Sequence, residues 1–379
     1  NSLLRRFRIG IEITIAIGLA VLLFQFFRPS TVGVTETPQA VDVNIPIGRL
    51  RFTDFDNVMD RVTIILNNVD RPEQGTHYEV WLKNSLNGII RNIGQIRFND
   101  SSVGQLEFTD TNRQNLLALF DEVIITNEQD GASVTQPSAE VAFSSIFPPE
   151  ALAQAREVLV AHPDTPGGQL ALMQGLYYYS GSYIYISING DPLEPAFTSL
   201  VKAYQGNDEA ALRKRTEEVI NLIVGDMSDQ YRDYDNDGVI NNNDGDGYGS
   251  LPNGDRLGYL QATAVNTKDV ADAPDSTPNM RLYSENIQIC VNNMEAWTEQ
   301  ILPLALQLIE MPFGPEMEPV VSELSRLGEN LIKGMDLNQN GLVEPVDGEC
   351  GADRAYEYGW FLVDMPIFIG PERVPPSGK

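Results

Sequence analysis

The sequence has few of the residues that most often carry catalysis or nucleic-acid binding. Its 379 residues include two cysteines and two histidines, and 26 Lys and Arg stand against 53 Asp and Glu, a net charge of −27. Such an excess of negative charge argues against nucleic acid as a partner, because phosphates are repelled. Phosphate-binding glycine loops, dinucleotide fingerprints, HExxH and activated serine or cysteine motifs are missing. We therefore expect that the protein is not an enzyme. We also expect several domains, because the chain is long for a single hydrophobic core.

The two histidines are the candidates for a base that works near neutral pH. His77 begins a predicted strand at a position that the alternation of that strand turns toward solvent. His162 precedes Pro163 at the predicted end of a helix. Neither position favours catalysis.

One long apolar run, residues 9–27, lies near the start of the chain. As a helix, its 19 residues span about 28 Å, close to the hydrocarbon thickness of a bilayer. The arginines before it predict a cytoplasmic N-terminus: Arg5, Arg6 and Arg8. A buried soluble helix and a cleaved signal peptide are alternatives that fit less well. We predict a single-pass cell-membrane protein with an extracytoplasmic bulk: a cytoplasmic stub at 1–8, a transmembrane helix at 9–27 and an extended tether at 28–45.

Short runs with alternating apolar residues recur between residues 46 and 146. They lie at 50–53, 62–66, 77–82, 95–98, 105–108, 122–126 and 140–144. Turn residues such as Asn87-Gly88 separate them. About seven strands in a hundred residues predict an antiparallel β-sandwich.

Three stretches of this region resemble a known family. YEVWL at 78–82, NIGQIRF at 92–98 and FDEVIITNEQDGASVTQPSAEVAFS at 120–144 resemble the extracytoplasmic C-terminal domain of anti-sigma-K factors. The resemblance implies a β-sandwich at 46–146. It also implies an alternative function, that of a transmembrane regulator that senses extracytoplasmic signals.

The apolar period changes from two to about 3.6 after Pro148-Pro149, which predicts a helical domain at 147–379. Helices are expected at 149–161, 168–179, 193–204, 208–225, 284–311 and 315–333. The predicted fold class is thus multidomain: a transmembrane helix, an antiparallel β-sandwich and a mostly α-helical domain that contains calcium loops.

Two acidic loops follow helices of this domain, at 233–244 and 336–347. The first presents Asp233, Asp235, Asp237, the carbonyl of Val239, Asn241 and Asp244 at loop positions 1, 3, 5, 7, 9 and 12. The second presents Asp336, Asn338, Asn340, the carbonyl of Leu342, Glu344 and Asp347 at the same positions. Glycine stands at position 6 of both. A hard cation needs six to eight oxygens, and alternate residues of one curled loop supply most of them.

Both loops resemble the calcium loops of EF-hand and dockerin proteins. The resemblance implies Ca²⁺ ligation at the matching positions. The loop starts are 103 residues apart, unlike the short duplicated unit of a dockerin, so cohesin binding is not implied. Two structural Ca²⁺ ions are the predicted cofactors, and an acidic surface turn is the alternative.

The two cysteines, Cys290 and Cys350, are predicted to form one disulfide, because oxidising compartments favour that pairing. Two buried thiols are the alternative. The predicted function is a membrane-anchored, non-catalytic, calcium-binding interaction or accessory protein. Its expected partners are the bilayer, through residues 9–27, and other membrane or surface proteins. A surface hydrolase remains open, because a site assembled from distant segments leaves no local motif.

Overall fold

The computed structural model describes residues 44–55, 58–132, 134–161, 170–180, 196–241 and 247–378. Nine strands within these residues form one sheet. They are β1 (Gly48–Thr53), β2 (Arg61–Leu66), β3 (Thr76–Lys83), β4 (Ile90–Gln95), β5 (Arg97–Phe98), β6 (Gly104–Thr109), β7 (Glu122–Gln129), β8 (Val141–Ile146) and β9 (Met365–Ile369).

All pairings in the sheet are antiparallel, in the order β4-β3-β7-β8-β9-β1-β2-β6-β5. The two ends of this order, β4 and β5, are consecutive in the chain and separated only by Ile96. The sheet therefore curls back on itself. In β2, Val62, Ile64 and Leu66 are buried and their neighbours are only partly so, because alternate side chains point to opposite faces.

The ninth strand corrects the predicted fold class. We expected a self-contained β-sandwich from residues 46–146, but β9 comes from the far end of the chain and joins β1 to β8. Leu50 pairs with Met365, and Phe143 pairs with Ile369. Without β9, facing edges of β1 and β8 would leave their backbone N–H and C=O groups unpaired. One curled nine-stranded sheet with associated helices therefore replaces the predicted sandwich.

The α-helices of the described residues pack around and beside this sheet. They are α1 (Leu116–Leu119), α2 (Pro149–Leu159), α3 (Leu172–Gly175), α4 (Ala196–Gln205), α5 (Glu209–Val224), α6 (Gly258–Asp272), α7 (Pro278–Glu310), α8 (Glu318–Lys333) and α9 (Ala352–Leu362). Most of their buried apolar side chains form one continuous cluster with those of the sheet, and Leu172, Tyr259 and Ala262 form a small second cluster. Residues 43–379 accordingly form one compact unit.

Local sequence explains where the main helices begin and end. Asp208 caps α5 by accepting a hydrogen bond from the backbone N–H of Ala211, and Thr277 caps α7 in the same way. Gly225 ends α5 and Gly334 ends α8, both with a positive φ that suits glycine, at 71° and 79°. Each of these glycines is followed by one of the two acidic loops.

The predicted membrane anchor is also corrected. No helix among the described residues is long and apolar enough to cross a membrane. The longest of them, α7, has 33 residues but carries charged side chains along its length, such as Arg281, Glu285 and Glu295. The predicted helix at 9–27 lies outside the described residues, as do the stub and nearly all of the tether. This finding contradicts the predicted single-pass topology for the part of the chain that the structure describes.

An ion pair joins Arg51 of β1 to Asp364, the residue before β9, and leads to a testable prediction. The Nε and Nη2 atoms of Arg51 donate to the carboxylate of Asp364 at 2.6 and 2.5 Å, and the ring of Phe361 lies under the guanidinium. Burial raises the pKa of Asp364 above its ordinary value of 3.8, and Arg51 opposes that rise. Removing the partner of a buried carboxylate is costly, so Arg51→Met is expected to lower the free energy of unfolding by about 2 kcal/mol at neutral pH.

The pH dependence of this loss follows from the direction of the shift. Without Arg51 the pKa of Asp364 in the folded protein rises further, so the folded state binds its proton more tightly than the unfolded state does. The deficit of Arg51→Met is therefore smallest below pH 3.8 and grows as pH rises through the folded pKa. Urea denaturation at pH values across this range measures the deficit in the free energy of unfolding. The control is Arg326→Met, which breaks an exposed ion pair with Glu323. A deficit that is the same at every pH contradicts this account.

Candidate metal centre

In the first loop the acidic side chains accept hydrogen bonds from the backbone around the turn at Gly238. Asp233 Oδ2 accepts a hydrogen bond from the N–H of Gly238 at 3.0 Å. Asp235 Oδ1 accepts from the N–H of Asp237 at 2.9 Å, and Asp237 Oδ1 accepts from the N–H of Val239 at 2.7 Å. The side chains at positions 1, 3 and 5 therefore fold back onto the backbone of the turn, but only Asp233 and Asp235 join the compact group of ligand oxygens described below, and Asp237 is exposed.

The second loop has the same geometry. Asp336 Oδ2 accepts from the N–H of Gly341 at 2.8 Å, Asn338 Oδ1 from Asn340 at 3.0 Å, and Asn340 Oδ1 from Leu342 at 2.8 Å. The bonds from position 1 to 6, from 3 to 5 and from 5 to 7 thus recur in both loops. The backbone conformations of the two loops also agree.

Positive φ angles occur at position 4, at Asn236 (61°) and Gln339 (59°), and at position 6, at Gly238 (87°) and Gly341 (86°). Two stretches of different composition therefore adopt one loop conformation. Glycine at position 6 suits this backbone, because residues with a side chain rarely take such angles.

A buried glutamate that the sequence reasoning missed organises the first loop. Glu217 on α5 is fully buried. Its Oε2 accepts hydrogen bonds from the N–H groups of Tyr234 (2.6 Å) and Asp235 (2.9 Å), and its Oε1 accepts from the N–H of Asn241 (2.6 Å). Ligand oxygens of Glu217, Asp233 and Asp235 all lie within 4.8 Å of one another, which is close enough to hold one metal ion.

Glu217 left a weak signal in the sequence. It is a charged residue between Leu212 and Ile220, on the buried side of an amphipathic helix. A carboxylate is fully buried only when it is paired or hydrogen-bonded, so a role nearby was implied. The loop it contacts begins 16 residues later, and periodicity alone does not identify that contact.

Negative charge is concentrated at this point. The pKa of Asp235 is raised, first by its own burial and then by the neighbouring carboxylates of Glu217, Asp237 and Asp233, although the N–H of Asp237 opposes the rise. A divalent cation among these oxygens stabilises the charged forms. The site therefore has the electrostatics of a cation site.

A second buried glutamate plays the corresponding part in loop 2. Glu349 accepts hydrogen bonds from the N–H groups of Asn338 (3.3 Å) and Glu344 (3.1 Å) and is almost fully buried. Glu344 Oε2 in turn accepts from the side-chain amides of Asn338 (3.2 Å) and Asn340 (2.6 Å). Positions 3, 5 and 9 of this loop are thus brought together.

Three predicted ligands are placed differently or lie outside the described residues. The Asn241 side chain donates to Glu217 Oε1 at 3.2 Å and to the carbonyl of Val239 at 3.3 Å. Asp347, at position 12 of loop 2, is exposed. Asp244, at position 12 of loop 1, lies outside the described residues. Closure of each loop at position 12 therefore stays a prediction.

The end of loop 2 is fastened to α7. Cys350 forms the expected disulfide with Cys290, and both are fully buried. The side-chain amide of Asn293 donates to the carbonyls of Val346 at 2.9 Å and Cys350 at 3.2 Å. Asn293 also accepts from the N–H of Gly348 at 2.7 Å. The loop is thus connected to the longest helix by one covalent bond and three hydrogen bonds.

The role of Glu217 is testable without metal. In Glu217→Gln an amide replaces one oxygen, so backbone N–H groups that are bonded to that oxygen lose their acceptor. We expect the free energy of unfolding in EGTA to fall by about 3 kcal/mol, since unsatisfied buried donors are costly. Urea denaturation measures this loss. Glu329→Gln, at an exposed helical position paired with Lys333, is the control and is expected to change little; equal losses in the two variants contradict a special role of Glu217.

Comparisons with known proteins add no identification. No family model matches the chain, and no curated protein or solved structure is significantly similar to it. The resemblances to anti-sigma-K factors and to EF-hand loops therefore stay predictions. The donor set itself fits a hard cation, because every side chain brought together at the two loops offers oxygen.

Proposed function

We propose that this chain is a non-catalytic calcium-binding interaction protein in which two EF-hand-type loops bind Ca²⁺ and brace its helices. The observation that carries the proposal is the shared geometry of the loops. Asp233 and Asp336 each accept a hydrogen bond from the glycine N–H five residues later, and the bonds from positions 3 and 5 also match. An acidic surface turn has no reason to repeat this pattern at a second place in the chain.

Calcium is the ion that these loops suit best. All of the converging side chains are carboxylates or amides, and such oxygens bind Ca²⁺, Mg²⁺ or Mn²⁺ rather than zinc or copper. Mg²⁺ demands near-octahedral geometry and keeps several waters, whereas Ca²⁺ accepts six to eight ligands in a flexible arrangement. A loop that supplies oxygens from many positions therefore favours Ca²⁺.

The proposed role of the ions is structural. Loop 1 is tied to α5 through Glu217, and loop 2 is tied to α7 through Asn293 and the disulfide. An ion in each loop thus couples the loop conformation to a helix of the core. Two Ca²⁺ ions also reduce the net charge of −27 by four, to −23, which lowers the self-repulsion of an acidic chain.

The loops also support the interaction part of the proposal. Large apolar side chains are half-exposed on both of them: Val239 (57%), Ile240 (47%), Leu337 (51%) and Leu342 (56%). Exposed apolar side chains of this size suit contact with another protein. Affinity capture in the presence of Ca²⁺ tests these side chains, by comparing the partner proteins that bind the wild type with those that bind Val239→Ser/Leu342→Ser. Identical sets of bound proteins contradict a role of these side chains in interaction.

Isothermal titration calorimetry tests the metal proposal. We expect two Ca²⁺ ions per chain, one lost in Asp233→Asn/Asp235→Asn and the other lost in Asp336→Asn. Asparagine keeps the size of aspartate and removes its charge, so the fold is little disturbed. Asp272→Asn, at an exposed position of α6, is the matched control and is expected to bind both ions. Absence of binding in the wild type, or unchanged binding in the loop variants, contradicts the proposal.

A further inference from the structure

A histidine at the start of β3 lies between two carboxylates, far along the chain from both calcium-type loops. The Nδ1 atom of His77 is 2.9 Å from Asp130 Oδ1, and its Nε2 atom is 3.1 Å from Glu79 Oε2. Although the strand pattern suggested a solvent-facing position, the imidazole is only 15% exposed. His77 and Glu79 are two residues apart on one strand, so their side chains share a face of the sheet.

The contact between His77 and Glu79 is not an ordinary hydrogen bond. His77 Nε2 and Glu79 Oε2 are both shielded from solvent, and neither has a hydrogen-bond partner among the described residues, despite their 3.1 Å separation. The side chain of Glu79 is more than nine-tenths buried. Two buried polar atoms at this distance that lack hydrogen-bond geometry are suited to bind one shared ion beside them, unless His77 is protonated and forms an ion pair with Glu79.

The separation fits a shared metal ion. Zinc binds histidine nitrogen and carboxylate oxygen at about 2.1 Å, so two neighbouring ligands are about 3.0 Å apart at a right angle and about 3.4 Å apart at the tetrahedral angle. The observed 3.1 Å lies in this range. The other oxygen of Glu79 is already occupied, since Oε1 accepts a hydrogen bond from the Asn92 amide at 2.6 Å, which leaves Oε2 as the ligand.

Asp130 completes a known arrangement around metal-bound histidine. When one imidazole nitrogen donates to a carboxylate, the other nitrogen presents its lone pair and is held in a fixed direction. Asp130 directly follows β7, and its contact with Nδ1 therefore directs Nε2 toward Glu79. Nitrogen and carboxylate donors together select a transition metal rather than Ca²⁺.

We propose that His77 and Glu79 are ligands of a divalent transition-metal ion of the zinc class, with Asp130 as the positioning residue. Glu128 lies opposite His77 in the register of β3 and β7, but it accepts a hydrogen bond from the N–H of Ser138. Within the described residues, the one compact group of three His, Cys, Asp or Glu ligands is at the first calcium-type loop. The His77 site therefore offers two protein ligands among the described residues.

Titration of Zn²⁺ into the full chain, with Ca²⁺ saturating, tests this site. We expect one Zn²⁺ per chain, at least tenfold weaker binding in His77→Ala and Glu79→Gln, and about 10- to 100-fold weaker binding in Asp130→Asn, the usual effect of removing such a partner. His162→Ala, which changes the other histidine of the chain, is the matched control and is expected to bind as the wild type does. Undiminished binding in His77→Ala overturns the proposal.

A measurement on the wild type removes any dependence on how the variants fold. In ¹⁵N NMR spectra of the imidazoles, Zn²⁺ is expected to shift the Nε2 resonance of His77 and to leave His162 unchanged. Protonated His77 bridging the two carboxylates is the competing explanation, and it predicts no Zn²⁺-dependent shift. A spectrum in which His77 does not respond to Zn²⁺ overturns the proposal.

Discussion

Removal of Ca²⁺ is expected to lower the free energy of unfolding by about 5 kcal/mol. A ligand that binds only the folded state contributes about 2.7 kcal/mol at a free concentration one hundred times its dissociation constant, and the chain has two loops. Urea denaturation in Ca²⁺ and in EGTA measures the difference. Mg²⁺ at the same concentration is the control, and we expect it to restore much less of the lost stability because it fits such loops poorly.

The two loops are expected to share this effect. Asp233→Asn/Asp235→Asn should lose about half of the stabilisation by Ca²⁺, Asp336→Asn about the other half, and the combined variant all of it. We expect the two effects to add, because the candidate ligands of one loop are different residues from those of the other. Equal stability of the wild type in Ca²⁺ and in EGTA contradicts a structural role of the ions.

Loss of the disulfide is expected to have the second large effect. Cys290 and Cys350 are 60 residues apart, and closing a loop of that length contributes about 4 kcal/mol in the chain-entropy model. We therefore expect Cys290→Ala/Cys350→Ala to unfold at a clearly lower urea concentration than the wild type. Full reduction of the wild type with a thiol reagent is expected to give the same loss of stability. Because reduction leaves both cysteine side chains in place, equal losses show that the missing bond and not the smaller alanine side chains is the cause.

The same variant tests how the disulfide and loop 2 are coupled. Cys350 lies one residue after Glu349, whose carboxylate holds the backbone of Asn338 and Glu344. Without the covalent bond this segment is less ordered, so binding of Ca²⁺ to loop 2 is expected to weaken while loop 1 is unaffected. Equal weakening at both loops indicates a general loss of stability instead.

Local patterns could be predicted well from the sequence, and the calcium-type loops show why. Asp233 accepts a hydrogen bond from the N–H of Gly238 and Asp235 accepts one from the N–H of Asp237, all within six residues, so the turn follows from local spacing. The pairing of Cys290 with Cys350 was predictable for a different reason, since the chain has only two cysteines. Neither conclusion requires knowledge of how distant segments pack.

Contacts between distant segments could not be predicted in the same way. Ile369 pairs with Phe143 across more than two hundred residues, and the five residues of β9 include Pro366, which weakens any strand pattern. Glu217 was missed because its partners are on the loop rather than on its own helix. The resulting errors were a sandwich in place of a curled nine-stranded sheet and a set of candidate ligands at the first loop that lacked Glu217.

The predicted membrane anchor is a separate case, because residues 9–27 lie outside the described residues. It rested on the apolar run at 9–27 and the arginines before it, a pattern read from composition alone. The described residues contain no helix that could cross a membrane. The longest of these helices, α7, buries apolar side chains such as Ile287, Met294 and Ile301 in the core.

Anomalous diffraction from crystals grown in Ca²⁺ tests the central claim most directly. The account predicts two anomalous peaks per chain, one with oxygens of Asp233 and Asp235 and one with oxygens of Asp336 and Asn340 at about 2.3–2.6 Å. The peaks should disappear in crystals grown in EGTA. Crystals in Ca²⁺ without a peak at either loop would contradict the account.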